Sequence, residues 1–203
     1  MSKVPVESST PGPWSLTTRR IVVAGVLAAI TIILAVIPGL GFIPVPNISG
    51  RATIEHIPTI LGGVLEGPIV GMVTGLIFGL VTFFFVPLPI KDPIVIILPR
   101  IFIGLTAWLT FTGLKRFNRD VAAAVAGFIG AATNTILVVG AAILRGFIPL
   151  KAVPVTVPVI LPQAIAEAIL AAILTAIIAR AVYIVQGRFV RAPETKSRDE
   201  LPY

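Results

Sequence analysis

The sequence predicts an all-α, polytopic membrane protein, a bundle of six transmembrane helices. Apolar residues make up 56% of the 203 residues and charged residues only 12%, whereas a soluble domain usually carries about 25% charged residues. The apolar residues form blocks long enough to cross a bilayer, which takes roughly 20 residues. The basic residues collect beside the ends of these blocks, as they do around membrane helices.

The elements follow in chain order. Residues 1–18 are polar and proline-containing, so we expect a disordered cytoplasmic tail rather than a signal peptide. The membrane domain is expected over residues 19–186, and a charged cytoplasmic tail over 187–203. The first span begins after Arg19-Arg20 and ends near Pro38-Gly39. Later spans are expected over residues 93–114, 121–144 and about 158–183, with Pro154 and Pro158 in the preceding loop, because residues before proline avoid the α conformation.

Residues 57–86 could form one long tilted span or two helices joined at Glu66-Gly67-Pro68. Gly-Pro is a turn signal, and proline suits the first turn of a new helix. Charge bias favours two helices. Six spans with a cytoplasmic N-terminus place eleven Lys and Arg residues inside and five outside, as the positive-inside rule requires. Both termini are therefore expected in the cytoplasm.

Small residues recur at four-residue spacing in three spans, which permits close helix packing in lipid. The stripes are Gly71, Gly75 and Gly79 in span three; Ala164, Ala168, Ala172 and Ala176 in span six; and Ala24 and Ala28 in span one. The general interpretation is packing inside the bundle. The alternative is that one stripe docks another membrane subunit.

Four polar residues fall inside predicted spans, where a central charge costs about 2.5–3.5 kcal/mol. They are Arg100, Asn134, Gln163 and Glu167. At 1.5 Å per residue, Arg100 and Asn134 lie roughly 9 Å and 15 Å below the outer end, and Gln163 and Glu167 share one helix face. This distribution predicts a pocket open to the outside with a closed floor. The alternative is an Arg100–Glu167 pair that stabilises the bundle, with the two amides as interhelical hydrogen bonds.

The first outer loop contains Asn47, Arg51, Glu55 and His56 and is placed to cover this pocket as a lid. His56 is either a hydrogen-bonding interfacial residue or a ligand contact. A guanidinium matches carboxylates and phosphates bidentately, so Arg100 would bind such a group. The candidate substrate-binding residues are Arg100, Asn134, Gln163, Glu167, Asn47 and His56.

Several runs resemble the substrate-binding S components of energy-coupling-factor (ECF) vitamin transporters. They are residues 54–68 (IEHIPTILGGVLEGP), 99–104 (PRIFIG), 130–135 (GAATNT) and the Ala166-Glu167 pair. The resemblance covers roughly residues 20–186 and implies six helices, cytoplasmic termini in a prokaryotic cell membrane, and a ligand pocket near the outer face. It also implies a transmembrane coupling subunit and two ATP-binding-cassette ATPases as partners, with the first-helix AxxxA face, here Ala24 and Ala28, docking the coupling subunit.

Among these carriers the chain looks most like the pantothenate type. Arg100 would suit the carboxylate of pantothenate, and Asn134 and Gln163 its amide and hydroxyls. Carriers of folate, riboflavin, cobalamin and queuosine precursors share similar motifs, so these substrates stay open as alternatives. Glu66 departs from the pattern, since an apolar or aromatic residue is expected before Gly-Pro.

The sequence disfavours the other function classes. It has no cysteine, one histidine and no serine in any span, so thiolate and multi-histidine metal sites are excluded, an intramembrane enzyme is not expected, and no cofactor is expected. It lacks a P-loop, so ATP hydrolysis would belong to partners. The net charge of +7 is explained by the lipid rather than by nucleic acid. A stand-alone secondary transporter is the remaining alternative, although paired broken helices are not evident.

Overall fold

The structure, a computed structural model, describes residues 12–44 and 51–190. The elements in order are α1 (Thr18–Val36), β1 (Phe42–Pro44), β2 (Arg51–Thr53), α2 (Ile57–Glu66), α3 (Pro68–Phe85), α4 (Pro93–Leu114), α5 (Arg119–Leu144), a 3-10 turn (Leu150–Ala152) and α6 (Val153–Val190). Five of these helices are long and apolar enough to cross a membrane, and α2 is a shorter apolar helix of 10 residues. The predicted six-helix membrane bundle is confirmed.

Ion pairs show that successive helices run in opposite directions. Arg19, at the start of α1, lies 2.7 Å from Glu66 at the end of α2. Arg180, in the C-terminal half of α6, lies 3.4 Å from Asp120 at the start of α5. We call this the basic end of the bundle. At the opposite end, which we call the hairpin end, Arg145 after α5 lies 2.9 Å from the carboxylate before α4, Asp92.

The break between α2 and α3 lies at Gly67, as the Gly-Pro pair predicts. Gly67 has a φ of +112°, which glycine adopts readily and other residues rarely do. Pro68 then begins α3. With 10 residues, α2 is only about 15 Å long, half of a bilayer core of about 30 Å. The start of α2 is therefore placed inside the bundle rather than at its surface.

The glycines of α3 lie against the backbone of α4, which confirms the packing interpretation of this stripe. A Cβ on Gly75 would lie 2.1 Å from the Arg100 carbonyl oxygen, and a Cβ on Gly79 would lie 2.8 Å from Ile97 Cα. Gly71 approaches Gly104 equally closely. Only glycine permits this separation, so the stripe fixes the depth and rotation of α4.

The prediction for the last span was wrong in two respects. Pro158 lies within α6, which already begins at Val153 and continues to Val190. Pro154 falls in the first turn, where proline is tolerated, and Pro158 and Pro162 lie on the exposed side, since membrane helices accommodate proline more readily than soluble ones. The buried stripe is also rotated from the predicted one: it consists of Ala168, Ala171, Thr175 and Ala179.

The loop between α1 and α2 contains a short antiparallel hairpin, which the all-α prediction did not include. Phe42 pairs with Thr53 and Pro44 with Arg51. Residues 45–50 at its tip, including the predicted contact Asn47, lie outside the described residues. At the basic end, the carbonyls of Gly12, Pro13 and Ser15 accept hydrogen bonds from Arg20.

Candidate ligand site

Arg100 lies in α4 and points into the bundle toward α3. Its guanidinium carbon is 4.9 Å from the centre of the Phe78 ring, a cation–π arrangement. Its Nη1 donates to the Ile96 carbonyl one turn earlier in the same helix. Its Nε is buried and has no hydrogen-bond partner among the described residues. A buried guanidinium with a free N–H can donate a hydrogen bond to an additional anionic or polar group.

Glu167 connects α6 to the hairpin. Its Oε1 accepts a 3.0 Å hydrogen bond from the Thr53 amide and a 2.6 Å hydrogen bond from Gln163 Nε2. The predicted alternative of an Arg100–Glu167 ion pair is wrong, because no carboxylate in the described part of the chain lies within 4.0 Å of Arg100. The Glu167 carboxylate instead holds strand β2 against α6.

Glu55 is the acidic residue whose charge interacts with that of Arg100. The sequence places it in the predicted lid but not among the candidate substrate-binding residues. It is 9% exposed and interacts electrostatically with both Arg100 and Glu167. Burial raises the pKa of Glu55 from 4.5 to about 7, with Arg100 lowering it and Glu167 raising it further. The hairpin residue Gly41 packs directly on this side chain, since a Cβ there would lie 2.6 Å from Glu55 Cγ.

His56 immediately precedes α2 and is only 1% exposed. Burial, and secondarily the charge of Arg100, lowers the pKa of His56 to about 4, so the imidazole is neutral at physiological pH. A neutral imidazole has one donor and one acceptor nitrogen. Neither ring nitrogen has a hydrogen-bond partner within the described residues.

Three further buried polar atoms share this property. Thr59 Oγ1, near the start of α2, Asn134 Oδ1, in α5, and Thr175 Oγ1, in α6, have no hydrogen-bond partner among the residues described. A buried polar atom without a partner costs about 1–3 kcal/mol, so native structures contain few of them. Thr59 was missed in the sequence, although its position three residues after His56 places both on one face of α2.

The hairpin end therefore contains a polar cluster, which we define as Glu55, His56, Thr59, Arg100, Gln163 and Glu167. It brings the predicted residues of α4 and α6 to the loop between α1 and α2, and it adds two side chains that the sequence prediction omitted. The contacts described above do not connect Asn134 of α5 to this cluster, so its part in the site stays a prediction. The cluster offers a cation, two carboxylates and neutral donors and acceptors. Such a mixture suits a small polar molecule that carries an acidic group.

Three cavities can be traced through the described residues, and none of the three has Arg100 or Glu167 in its wall. One of about 630 Å³ lies at the basic end. Another, of about 680 Å³, is an apolar groove between α1, α2 and α6. The third, of about 270 Å³, lies between α1 and α3 and is lined by Ala24 and Ala28. The outward-open shape of the candidate site stays a prediction.

Comparison with known families decides what kind of protein contains this cluster. A family model described as "ECF transporter, substrate-specific component" matches residues 19–179, most of the chain. The chain belongs to this family. No curated protein matches it.

As an ECF substrate-specific component, the chain is a multi-pass membrane protein of a transporter family rather than of an enzyme family. Components of this kind bind a small substrate and work with an ECF module of coupling and ATPase subunits. The family resemblance seen in the sequence is confirmed. The matched region ends at residue 179, within α6, and so includes every member of the polar cluster.

The two alanines predicted to dock the coupling subunit lie on the same face of α1 and line one cavity between α1 and α3, but they differ in exposure. Ala28 is buried, 7% exposed, whereas Ala24 is half-buried. The neighbouring Gly25 is exposed and has open space beside it. Of the two, Ala24 is thus nearer to a free surface that a partner helix could approach.

Proposed function

We propose that this ECF component captures pantothenate from outside the cell for uptake, and that the polar cluster binds it. The observation that supports this most strongly is the buried Arg100 with an unpartnered Nε. A carboxylate is the group that a guanidinium binds best, through two parallel hydrogen bonds. Pantothenate carries one carboxylate, which Arg100 can bind directly.

Unpartnered atoms of three other residues suit the rest of this substrate. Pantothenate has a secondary amide and two hydroxyl groups, which both donate and accept hydrogen bonds. His56 supplies a donor and an acceptor nitrogen, Thr59 supplies a hydroxyl, and Asn134 supplies a carbonyl acceptor. A bound ligand of this kind would remove the cost of leaving these atoms buried without partners.

Other ECF substrates are the alternative within the same function. Folate also carries carboxylates, so Arg100 supports it as well, whereas riboflavin offers no carboxylate for a buried guanidinium. Cobalamin is far larger than pantothenate, and queuosine precursors are also open. A stand-alone secondary transporter is a weaker alternative, since the family works with an ECF module.

The same proposal includes the partners and the orientation. The coupling subunit would dock on α1 at Ala24 and Ala28, and two ATP-binding-cassette ATPases would drive release of the substrate inside. The basic end carries Arg19, Arg20 and Arg180, so the positive-inside rule supports placing both termini in the cytoplasm of a prokaryotic cell.

Native mass spectrometry of the full chain, released from mild detergent, tests the substrate directly. We expect an adduct with the mass of pantothenate, and equilibrium dialysis with labelled pantothenate should show saturable binding. Labelled riboflavin, a larger ECF substrate without a carboxylate, serves as the control. An adduct of another vitamin, together with no pantothenate binding, would replace the substrate while keeping the family function.

A further inference from the structure

The cavity of about 630 Å³ at the basic end is not needed for substrate capture at the hairpin end. Its volume lies within the range of about 300–1,000 Å³ typical of small-ligand sites. Its wall combines cationic and aromatic side chains, among them Arg20, Lys115, Arg116, Arg119, Trp108 and Phe111. The cavity therefore joins a positive rim to an apolar wall.

The residues that the structure describes do not neutralise the positive charge of this rim. Within the described residues, Lys115, Arg116 and Arg119 form no salt bridge. The one carboxylate in the wall, Glu66, is already held by Arg19 at 2.7 Å. The positive side chains of the rim are therefore available to bind an anion.

Aromatic rings hold two of these cations in place without neutralising them. The Arg116 guanidinium lies 4.7 Å from the centre of the Phe117 ring, and that of Arg119 lies 5.9 Å from the centre of the Tyr183 ring. Arginine side chains ordered in this way lose less entropy when they bind an anion, and they can bind a phosphate bidentately.

The position of the cavity identifies the kind of anion. Its rim lies where α4 ends at Leu114 and α5 begins at Arg119, and Trp108 lies half-buried one and a half turns below. Tryptophan and tyrosine are enriched where lipid headgroups meet hydrocarbon. Basic pockets between membrane helices at this level are suited to anionic lipid headgroups.

We infer that this cavity binds the phosphate headgroup of an anionic phospholipid, with Arg116 and Arg119 contacting the phosphate and Trp108 and Phe111 contacting the lipid below it. A phospholipid is favoured over a soluble phosphate because Trp108 and Phe111 add apolar surface beside the rim and the cavity lies among membrane helices. The inference is independent of which vitamin the hairpin end binds.

The chain provides its own probe for this site. It has two tryptophans, and both Trp14 and Trp108 lie at this end, with ring centres 5.6 Å apart. The full chain would be reconstituted in phosphatidylcholine vesicles with a small fraction of either brominated phosphatidylglycerol or brominated phosphatidylcholine. We expect the brominated anionic lipid to quench the fluorescence more strongly at equal mole fraction, and the difference to shrink at high salt.

The double variant Arg116→Gln, Arg119→Gln should weaken this preference by roughly fivefold for each charge removed. The matched control is Lys91→Gln, Lys151→Gln, which removes two cations at the hairpin end and should leave the preference unchanged. A second double variant, Arg116→Lys with Arg119→Lys, keeps both positive charges and should retain most of the preference for the anionic lipid. Equal quenching by the two lipids, or equal loss in the control, would overturn the inference.

A final arm separates lipid from soluble phosphate. Inorganic phosphate should fail to relieve the quenching beyond the effect of sodium chloride at the same ionic strength, because it lacks the acyl chain. Specific relief by millimolar phosphate would reassign the cavity to a soluble phosphate ligand and overturn the lipid assignment. Circular dichroism and thermal unfolding in detergent check that each variant is folded, whichever vitamin the hairpin end binds.

Discussion

The Thr53 amide donates a 3.0 Å hydrogen bond to Glu167 Oε1, and these residues are separated by 114 positions in the chain. The contact fastens the hairpin between α1 and α2 to the N-terminal half of α6. Gln163 donates to the same oxygen, which keeps the carboxylate aimed at the strand. A single side chain thus couples the loop between α1 and α2 to the helix that carries Gln163 and Glu167 of the polar cluster.

Replacing Glu167 by Ala should therefore loosen the hairpin. A hydrogen bond to a charged group contributes about 1.5–3 kcal/mol, so ligand dissociation should accelerate by at least about tenfold. Hydrogen–deuterium exchange of the peptide that contains Thr53 should accelerate in parallel. Glu167→Gln keeps an acceptor oxygen and is the matched control, with a smaller effect expected. Unchanged exchange in the Ala variant would show that the hairpin is held by other contacts.

Arg100→Ala should abolish binding of a carboxylate ligand while leaving membrane insertion intact. Removing one member of a buried charged interaction costs about 2–5 kcal/mol, which corresponds to a loss of affinity of about 30-fold or more. Arg100→Lys should be intermediate, because an ammonium cannot bind bidentately. The control is Arg145→Ala, which removes a half-exposed arginine at the same end. The idea fails if dialysis gives the Ala variant wild-type affinity for pantothenate.

The affinity for a carboxylate ligand should fall as the pH rises through about 7, because Glu55 titrates there. Burial raises the pKa of Glu55, and the groups that influence its charge are Arg100 on α4 and Glu167 on α6. When Glu55 loses its proton, it neutralises Arg100 and repels the ligand. The loss should approach about tenfold per pH unit above the pKa if only the protonated form binds. His56, with a pKa of about 4, stays neutral throughout.

The raised pKa of Glu55 also makes the stability of the folded protein depend on pH. The folded state holds the Glu55 proton between pH 4.5, the ordinary value, and about 7. Its stabilisation is therefore complete below pH 4.5 and is lost as the pH rises through about 7. Glu55→Gln should flatten both the affinity and the Glu55 part of the stability profile. A variant that keeps the wild-type slope in dialysis from pH 5.5 to 8.5 would assign the titration to another group.

Composition and spacing were sufficient to predict the helices whose ends carry strong signals. Span four was placed at 93–114 and is observed at Pro93–Leu114, because Asp92 caps its start and Lys115 follows its end. The glycine stripe of α3 was also predictable, since no other residue allows such close backbone contact. In both cases the signal is local to one short stretch of chain.

The last helix and the site could be predicted only in part. Pro158 looks like a helix breaker in sequence, but its exposed position in α6 depends on how the bundle packs. Likewise, Glu167 looks like a partner for Arg100, yet its partner is a backbone amide of the hairpin, Thr53. Glu55 belongs to the site because the short α2 starts inside the bundle. These contacts join distant parts of the chain and leave no local pattern.

The proposed docking of the coupling subunit on α1 can be tested at Ala24, which is half-buried beside the exposed Gly25. Ala24→Trp should block co-purification with the coupling subunit while sparing vitamin binding, because a bulky ring prevents close helix approach. Ile136→Trp, at a 68% exposed position on α5, is the control and should leave the complex intact. Recovery of the normal complex with the Ala24 variant would move the docking surface elsewhere.

The contact between α3 and α4 predicts unequal effects of alanine at two glycines of α4. A Cβ on Gly104 would lie 2.3 Å from the Gly71 carbonyl carbon, whereas a Cβ on Gly113 would meet no atom within 4 Å. Gly104→Ala must push α4 away from α3, and overpacking of this kind costs typically about 1–3 kcal/mol. Gly113→Ala should be neutral or slightly stabilising, since alanine favours helix over glycine by up to about 1 kcal/mol. Thermal unfolding in detergent, followed by circular dichroism, measures both.

Equal melting temperatures for the two variants would show that α4 can move without cost. Because Arg100 lies one helical turn from Gly104, the Gly104 variant should also weaken ligand binding.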